Sequence, residues 1–123
     1  MRRALLLLAL LACDRIDPMV RDYQLEASSP GSGCVGRAQL DGSEGRYGGG
    51  FAGTCDGVPS VGGVWLTGDR LEFIAINGMG PVADLLIEHA TVLPGRKIEG
   101  EAQGWKITLT AIGGAGRPTS SPN

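Results

Sequence analysis

The sequence predicts an all-β domain of about eight short antiparallel strands wound into a small up-and-down barrel. Three observations carry this. Several stretches alternate apolar and polar residues with a period of two, the signature of a strand with one buried face. The chain of 123 residues holds 21 glycines, a content that long helices tolerate poorly because each interior glycine costs about 1 kcal/mol relative to alanine. Turn signals separate the alternating stretches at short intervals, with no room for the helices of βαβ units, so the sheet is antiparallel. Closing such a meander into a barrel removes its exposed edges.

The elements follow in order. Met19, Tyr23, Leu25 and Ala27 alternate with Val20, Asp22, Gln24 and Glu26, with Arg21 breaking the first series. Ser28 to Gly33 is a loop by composition. Val35 to Leu40 is a weakly patterned strand, and Asp41 to Gly45 turns the chain. Tyr47, Gly49, Phe51, Gly53 and Cys55 share one face of a third strand. The run Gly48-Gly49-Gly50 lacks the Gly-Lys-Ser/Thr and the helix start of a phosphate loop, so it reads as glycines that let a barrel strand bend. Asp56 to Ser60 is a turn, Val61 to Thr67 a strand, and Gly68-Asp69 a tight turn into Arg70 to Ile76. Asn77-Gly78 is a strong hairpin signal, because both central positions of the favoured turn need positive φ. Residues 82–93 are ambiguous. Pro81 followed by Val82, Leu85, Leu86 and His89 fits a helical turn, whereas Leu86 to Leu93 reads as a strand. After Pro94-Gly95, Lys97 to Gln103 alternates. Trp105, Ile107, Leu109 and Ala111 then oppose Lys106, Thr108 and Thr110 in the cleanest alternation of the chain.

The N-terminus carries a different kind of signal. Arg2 and Arg3 precede nine apolar residues, Ala4 to Ala12, and then Cys13 and Asp14. A positive start, a short apolar run and a small residue before a cut describe an export signal, and nine residues are too few for a bilayer span of about 20. Leu10-Leu11-Ala12-Cys13 resembles the lipobox of bacterial lipoproteins. That resemblance implies cleavage before Cys13, a diacylglycerol on its sulfur, and a mature chain anchored in the cell envelope. The organisation expected is a signal peptide over 1–12, a lipidated tether over 13–18, the barrel over 19–112 and a disordered tail over 113–123. In enteric-type bacteria aspartate after the lipidated cysteine resembles the signal for inner-membrane retention, so Asp14 points to the periplasmic face of that membrane.

Three cysteines in an exported chain leave one thiol to explain. Lipidation accounts for Cys13. Cys34 and Cys55 remain to form a disulfide in an oxidising compartment, the alternative being two buried free thiols. Without Arg2 and Arg3 the chain has nine basic and thirteen acidic residues, a net charge of −4. No basic patch marks a nucleic-acid partner, and no polybasic stretch marks anionic lipid, so membrane attachment rests on the acyl chains.

Little chemistry is offered to a substrate. His89 is the only histidine. Its neighbours Glu88 and Asp84 are poorly placed to orient it, since adjacent residues on a strand face opposite ways. No zinc set remains once Cys13 is acylated, and no Gly-x-Ser-x-Gly elbow is present. The expectation is no enzyme, no metal and no cofactor. Trp65 and Trp105 are the binding candidates, because tryptophan suits the edge between apolar and polar surroundings. Trp65 alternates with Val64 and Leu66, which places it outside the core.

A second resemblance concerns the body. Tyr23-Gln24-Leu25 before Cys34, the Cys34–Cys55 spacing, the hairpin Gly63-Val64-Trp65-Leu66-Thr67-Gly68-Asp69-Arg70-Leu71-Glu72-Phe73 and the turn at Asn77-Gly78 are similar to the small β-barrel inhibitors of secreted bacterial metalloproteases. In that family the barrel is a scaffold and the N-terminal segment enters the protease cleft. The chain departs from the family where a Gly-x-Trp usually opens the first strand and Tyr23 stands instead. The functional expectation is a non-catalytic envelope binding protein acting on a secreted protease or another envelope protein. The alternative is a lipocalin-like carrier of a small apolar ligand.

Overall fold

The computed structural model describes residues 17–112. These residues form nine strands: β1 (Arg21–Ser29), β2 (Ser32–Ser43), β3 (Arg46–Cys55), β4 (Val58–Thr67), β5 (Arg70–Asn77), β6 (Gly80–Ile87), β7 (Thr91–Leu93), β8 (Lys97–Ala102) and β9 (Trp105–Ala111). All pairings are antiparallel, in the order β6-β5-β4-β3-β2-β1-β9-β8-β7. The sheet is a meander that curls until its first strand meets its last: Tyr23 on β1 lies opposite Ala111 on β9.

The expected all-β, barrel-like sheet is therefore present, with two differences. The strands number nine because Thr91–Leu93 pairs with Lys97–Glu99 as a separate short strand. The ladder is also open between β6 and β7, the two ends of the strand order. Side chains bring the sheet's ends together there. A Cβ placed on Gly100 of β8 would lie 2.8 Å from Ile87 Cγ2 of β6 and 3.5 Å from the Ala90 backbone. The Ala90 N–H also donates to Asp69 O (2.8 Å), tying the β6–β7 link to the β4–β5 turn.

Alternation fills the interior. Tyr23, Leu25, Leu40, Leu66, Leu71, Phe73, Leu85, Ile98, Ile107 and Leu109 are all buried and form one continuous core cluster. Phe51 and Phe73 meet edge to face, with centroids 5.1 Å apart and planes at 89°, the arrangement that aromatic quadrupoles favour. Cys34 and Cys55, paired across β2 and β3, are joined by a disulfide inside this cluster. Glycine lets backbones approach where a side chain would collide. A Cβ on Gly36 would strike Ala52 O, and one on Gly62 would strike Ile74 O.

Turns are tighter than composition suggests. Glu44-Gly45, Asp56-Gly57 and Gln103-Gly104 each place both residues at positive φ between 52° and 84°, as the two-residue hairpin that matches strand twist requires. Asn77-Gly78 does not. Asn77 ends β5 opposite Gly80, its Oδ1 accepts the Met79 N–H (2.7 Å), and Gly78 and Met79 occupy the turn. Pro81 lies inside β6 rather than before it, tolerated on an edge strand. Residues 82–87 are strand throughout, with Ala83, Leu85 and Ile87 inward; no helical turn forms, because period two already buries this set.

The barrel thus has two distinct ends. Turns 30–31, 56–57, 78–79 and 103–104 form one, called here the hairpin end. The base carries turns 44–45, 68–69 and 94–96, together with Asp17 and Ile112, the first and last described residues.

Candidate functional site

Two features stand out on the surface. The first closes the base. Asp17 Oδ1 accepts the Met19 N–H (2.9 Å), and the Val20 N–H donates to Asp17 O (3.0 Å), folding the chain into a tight turn. The Tyr47 hydroxyl donates to Asp17 Oδ2 (2.8 Å), and Arg21 Nη1 donates to Gly95 O (3.1 Å). Met19 is buried by this arrangement. The hydrogen bond to the Asp17 carboxylate, with desolvation second, raises the Tyr47 phenol above its ordinary 10.0. Burial raises Tyr23 as well.

The clamp has a testable signature. Tyr47→Phe should lower stability by up to about 1 kcal/mol near neutral pH, the net worth of a partly exposed hydrogen bond. The neutral phenol is favoured in the folded state, so this contribution is present below pH 10.0 and lost as pH rises through the raised folded value. Urea midpoints of the two proteins should differ at neutral pH and converge in strong alkali.

The second feature is the outer wall of β3 to β6. Trp65 is 43 % exposed, outside the core as its alternation with Val64 and Leu66 predicts. Its indole lies flat on the wall. A Cβ on Gly48 would come within 2.8 Å of Trp65 Cδ1, and one on Gly63 within 2.6 Å of Trp65 Cη2. Gly48 is the cross-strand partner of Trp65, and Gly63 lies two residues before it on the same face. The two glycines make the floor on which the ring rests. Val61 pairs with Ile76, and Gly63 with Ile74. Val61, Ile76 and Ile74 are 57 %, 42 % and 37 % exposed, so the face is largely apolar, with Glu72 opposite Trp65 and Asp84 opposite Ile74. The outer faces of β1, β2, β8 and β9 carry mostly charged, amide and hydroxyl groups, among them Gln24, Glu26, Arg37, Gln39, Glu99 and Thr110.

Trp105 has a different setting. It faces inward at the hairpin end, opposite Ala102, half-buried against the core. The two tryptophans are not brought together in one site: one paves the outer wall, the other closes a barrel end. His89 is exposed beside Asp69, with Nδ1 3.3 Å from Oδ2. Asp56 accepts from Ser32 Oγ (2.7 Å) and the Gly33 N–H (2.8 Å), and these bonds hold its carboxyl below 3.8. It ties the first hairpin to the second across the disulfide. Cys13 and the tail 113–123 lie outside the described residues.

Sequence reasoning missed the breadth of the wall and the Asp17–Tyr47 clamp. The wall did leave a signal: residues 61–66 and 71–76 carry apolar side chains on both alternating faces, more than a half-buried strand needs. The clamp joins residues 30 apart in sequence, and only the folded chain brings them together. Comparison of this chain with family models, curated proteins and solved structures finds no match.

Proposed function

We propose that this chain is a non-catalytic lipoprotein of the bacterial envelope, anchored through Cys13 and acting as a binding protein toward other envelope or secreted proteins. The Cys34–Cys55 disulfide is the observation that carries it. It uses two of the three cysteines, suits an oxidising compartment, and leaves Cys13 for the acyl chain that its lipobox-like setting resembles. The inward positions are occupied by large side chains, which favours recognition at the surface over carriage of a small molecule inside. With the tether at the base, the hairpin end lies at the opposite end of the barrel and displays Met79, 93 % exposed, and the rim around Trp105. A secreted metalloprotease is the partner class that the hairpin order suggests.

Two measurements test this reading. A fatty-acid analogue fed to expressing cells should label the wild-type chain and not Cys13→Ser; equal labelling removes the anchor from the proposal. The purified protein at micromolar concentration should lower the activity of a secreted metalloprotease, and full residual activity removes that partner class.

A further inference from the structure

The outer wall of β3 to β6 needs an occupant, and the position of the tether selects one. The described chain begins at Asp17, hydrogen-bonded to Tyr47. Tyr47 faces the interior at the base, opposite Leu66, and Pro18 lies against Gly95 of the 94–96 turn, so the chain enters across the mouth of the barrel. Cys13 lies four positions before Asp17, a reach of at most about 14 Å fully extended. An acyl chain on Cys13 therefore keeps the base within that distance of the bilayer. The nearest large apolar surface is the wall that starts at Gly48 and Trp65. We propose that this wall is a lipid-contact face, with the Trp65 indole, Val61, Ile74 and Ile76 lying on the membrane that holds the anchor. The proposal rests on the lipid-anchor reading above.

Two further observations favour lipid over a protein partner. The exposed cluster lies on two strands over about five residues, on the order of 200 Å² by strand spacing, well under the about 800 Å² per partner that a standard protein interface takes. A second copy of the chain would thus find too little surface, whereas lipid demands no matching shape. Two carboxylates stand in this face, Glu72 opposite Trp65 and 4.0 Å from Arg70, and Asp84 opposite Ile74. No basic cluster is there to draw anionic headgroups, so the contact rests on apolar burial. Tryptophan beside aliphatic side chains is the composition that settles at a membrane–water boundary.

Trp105→Phe leaves Trp65 as the only indole of the chain. This variant, extracted from membranes and reconstituted into zwitterionic phosphatidylcholine vesicles with brominated acyl chains, should show Trp65 emission quenched about twofold or more relative to unbrominated lipid. Raising salt from about 0.1 M to about 0.5 M should leave the quenching unchanged, because apolar contact, unlike ion pairing, is not screened. Adding Val61→Asp and Ile74→Asp, both outward-facing, should abolish quenching while the far-ultraviolet dichroism stays that of strand. Trp65 unquenched in the lipid-attached protein, or quenching unaffected by the paired aspartates, overturns the proposal. Intact mass shows separately whether Cys13 carries lipid. If the cell leaves it bare, the same chain coupled through the Cys13 thiol to a maleimide phospholipid tests the wall by itself.

Discussion

Phe73→Ala should cost about 4 kcal/mol of stability, in the range found for buried phenylalanine truncated to alanine. Phe73 is fully buried on β5 and stacks edge to face on Phe51, whose ring is 2 % exposed. Removing it deletes apolar contacts from both barrel walls and leaves a void that neighbouring strands cannot close, since their spacing is set by hydrogen bonds. Domains of this size are stable by only about 5–15 kcal/mol in total, so the variant should sit near the edge of unfolding at 37 °C. Urea denaturation at unchanged slope measures it. Ile74→Ala, one residue on and facing outward, is the control and should cost less than about 1 kcal/mol. A Phe73→Ala loss as small as that of the control would mean the interior is not packed around this ring.

The second large effect concerns the disulfide. Replacing Cys34 and Cys55 by alanine opens a loop with ends 21 residues apart and should cost about 3 kcal/mol in the chain-entropy account. The bond joins directly opposed residues of β2 and β3, so the ladder there persists without it and the loss falls mainly on the unfolded chain's freedom. Reductant should shift the wild-type urea midpoint by the same amount and leave the double variant unmoved. A wild-type midpoint indifferent to reductant would show that the bond contributes nothing measurable.

Strands with one buried face were legible from sequence because burial there depends on alternation alone. β9 runs from Trp105 to Ala111, the bounds its alternation predicts. β5 and the Gly68-Asp69 turn follow the same rule. Strand ends were harder to read. Composition places loops at 28–33 and 56–60, whereas hydrogen bonding carries strands through to two-residue turns. Glu44 and Gln103 take positive φ because the glycine after each completes the turn, a pairing that Asn77-Gly78 outshone in sequence alone. β7 was read as the end of one strand over Leu86 to Leu93, and the bend at Glu88 and His89 that divides it from β6 carries no glycine or proline to mark it. Cys34 and Cys55 could be paired by counting, and Trp65 could be placed outside the core by parity. Its seat on Gly48 could not, because that depends on the register between β3 and β4.

The pairing of β1 with β9 has a consequence for how the molecule is made. Tyr23 finds its partner only when Ala111 exists, so the first strand waits for nearly the whole chain before its second edge is satisfied. Contacts this distant in sequence form slowly. A nascent chain emerging from the ribosome therefore stays unsealed until β9 is synthesised, and the first strand gains its second neighbour only then.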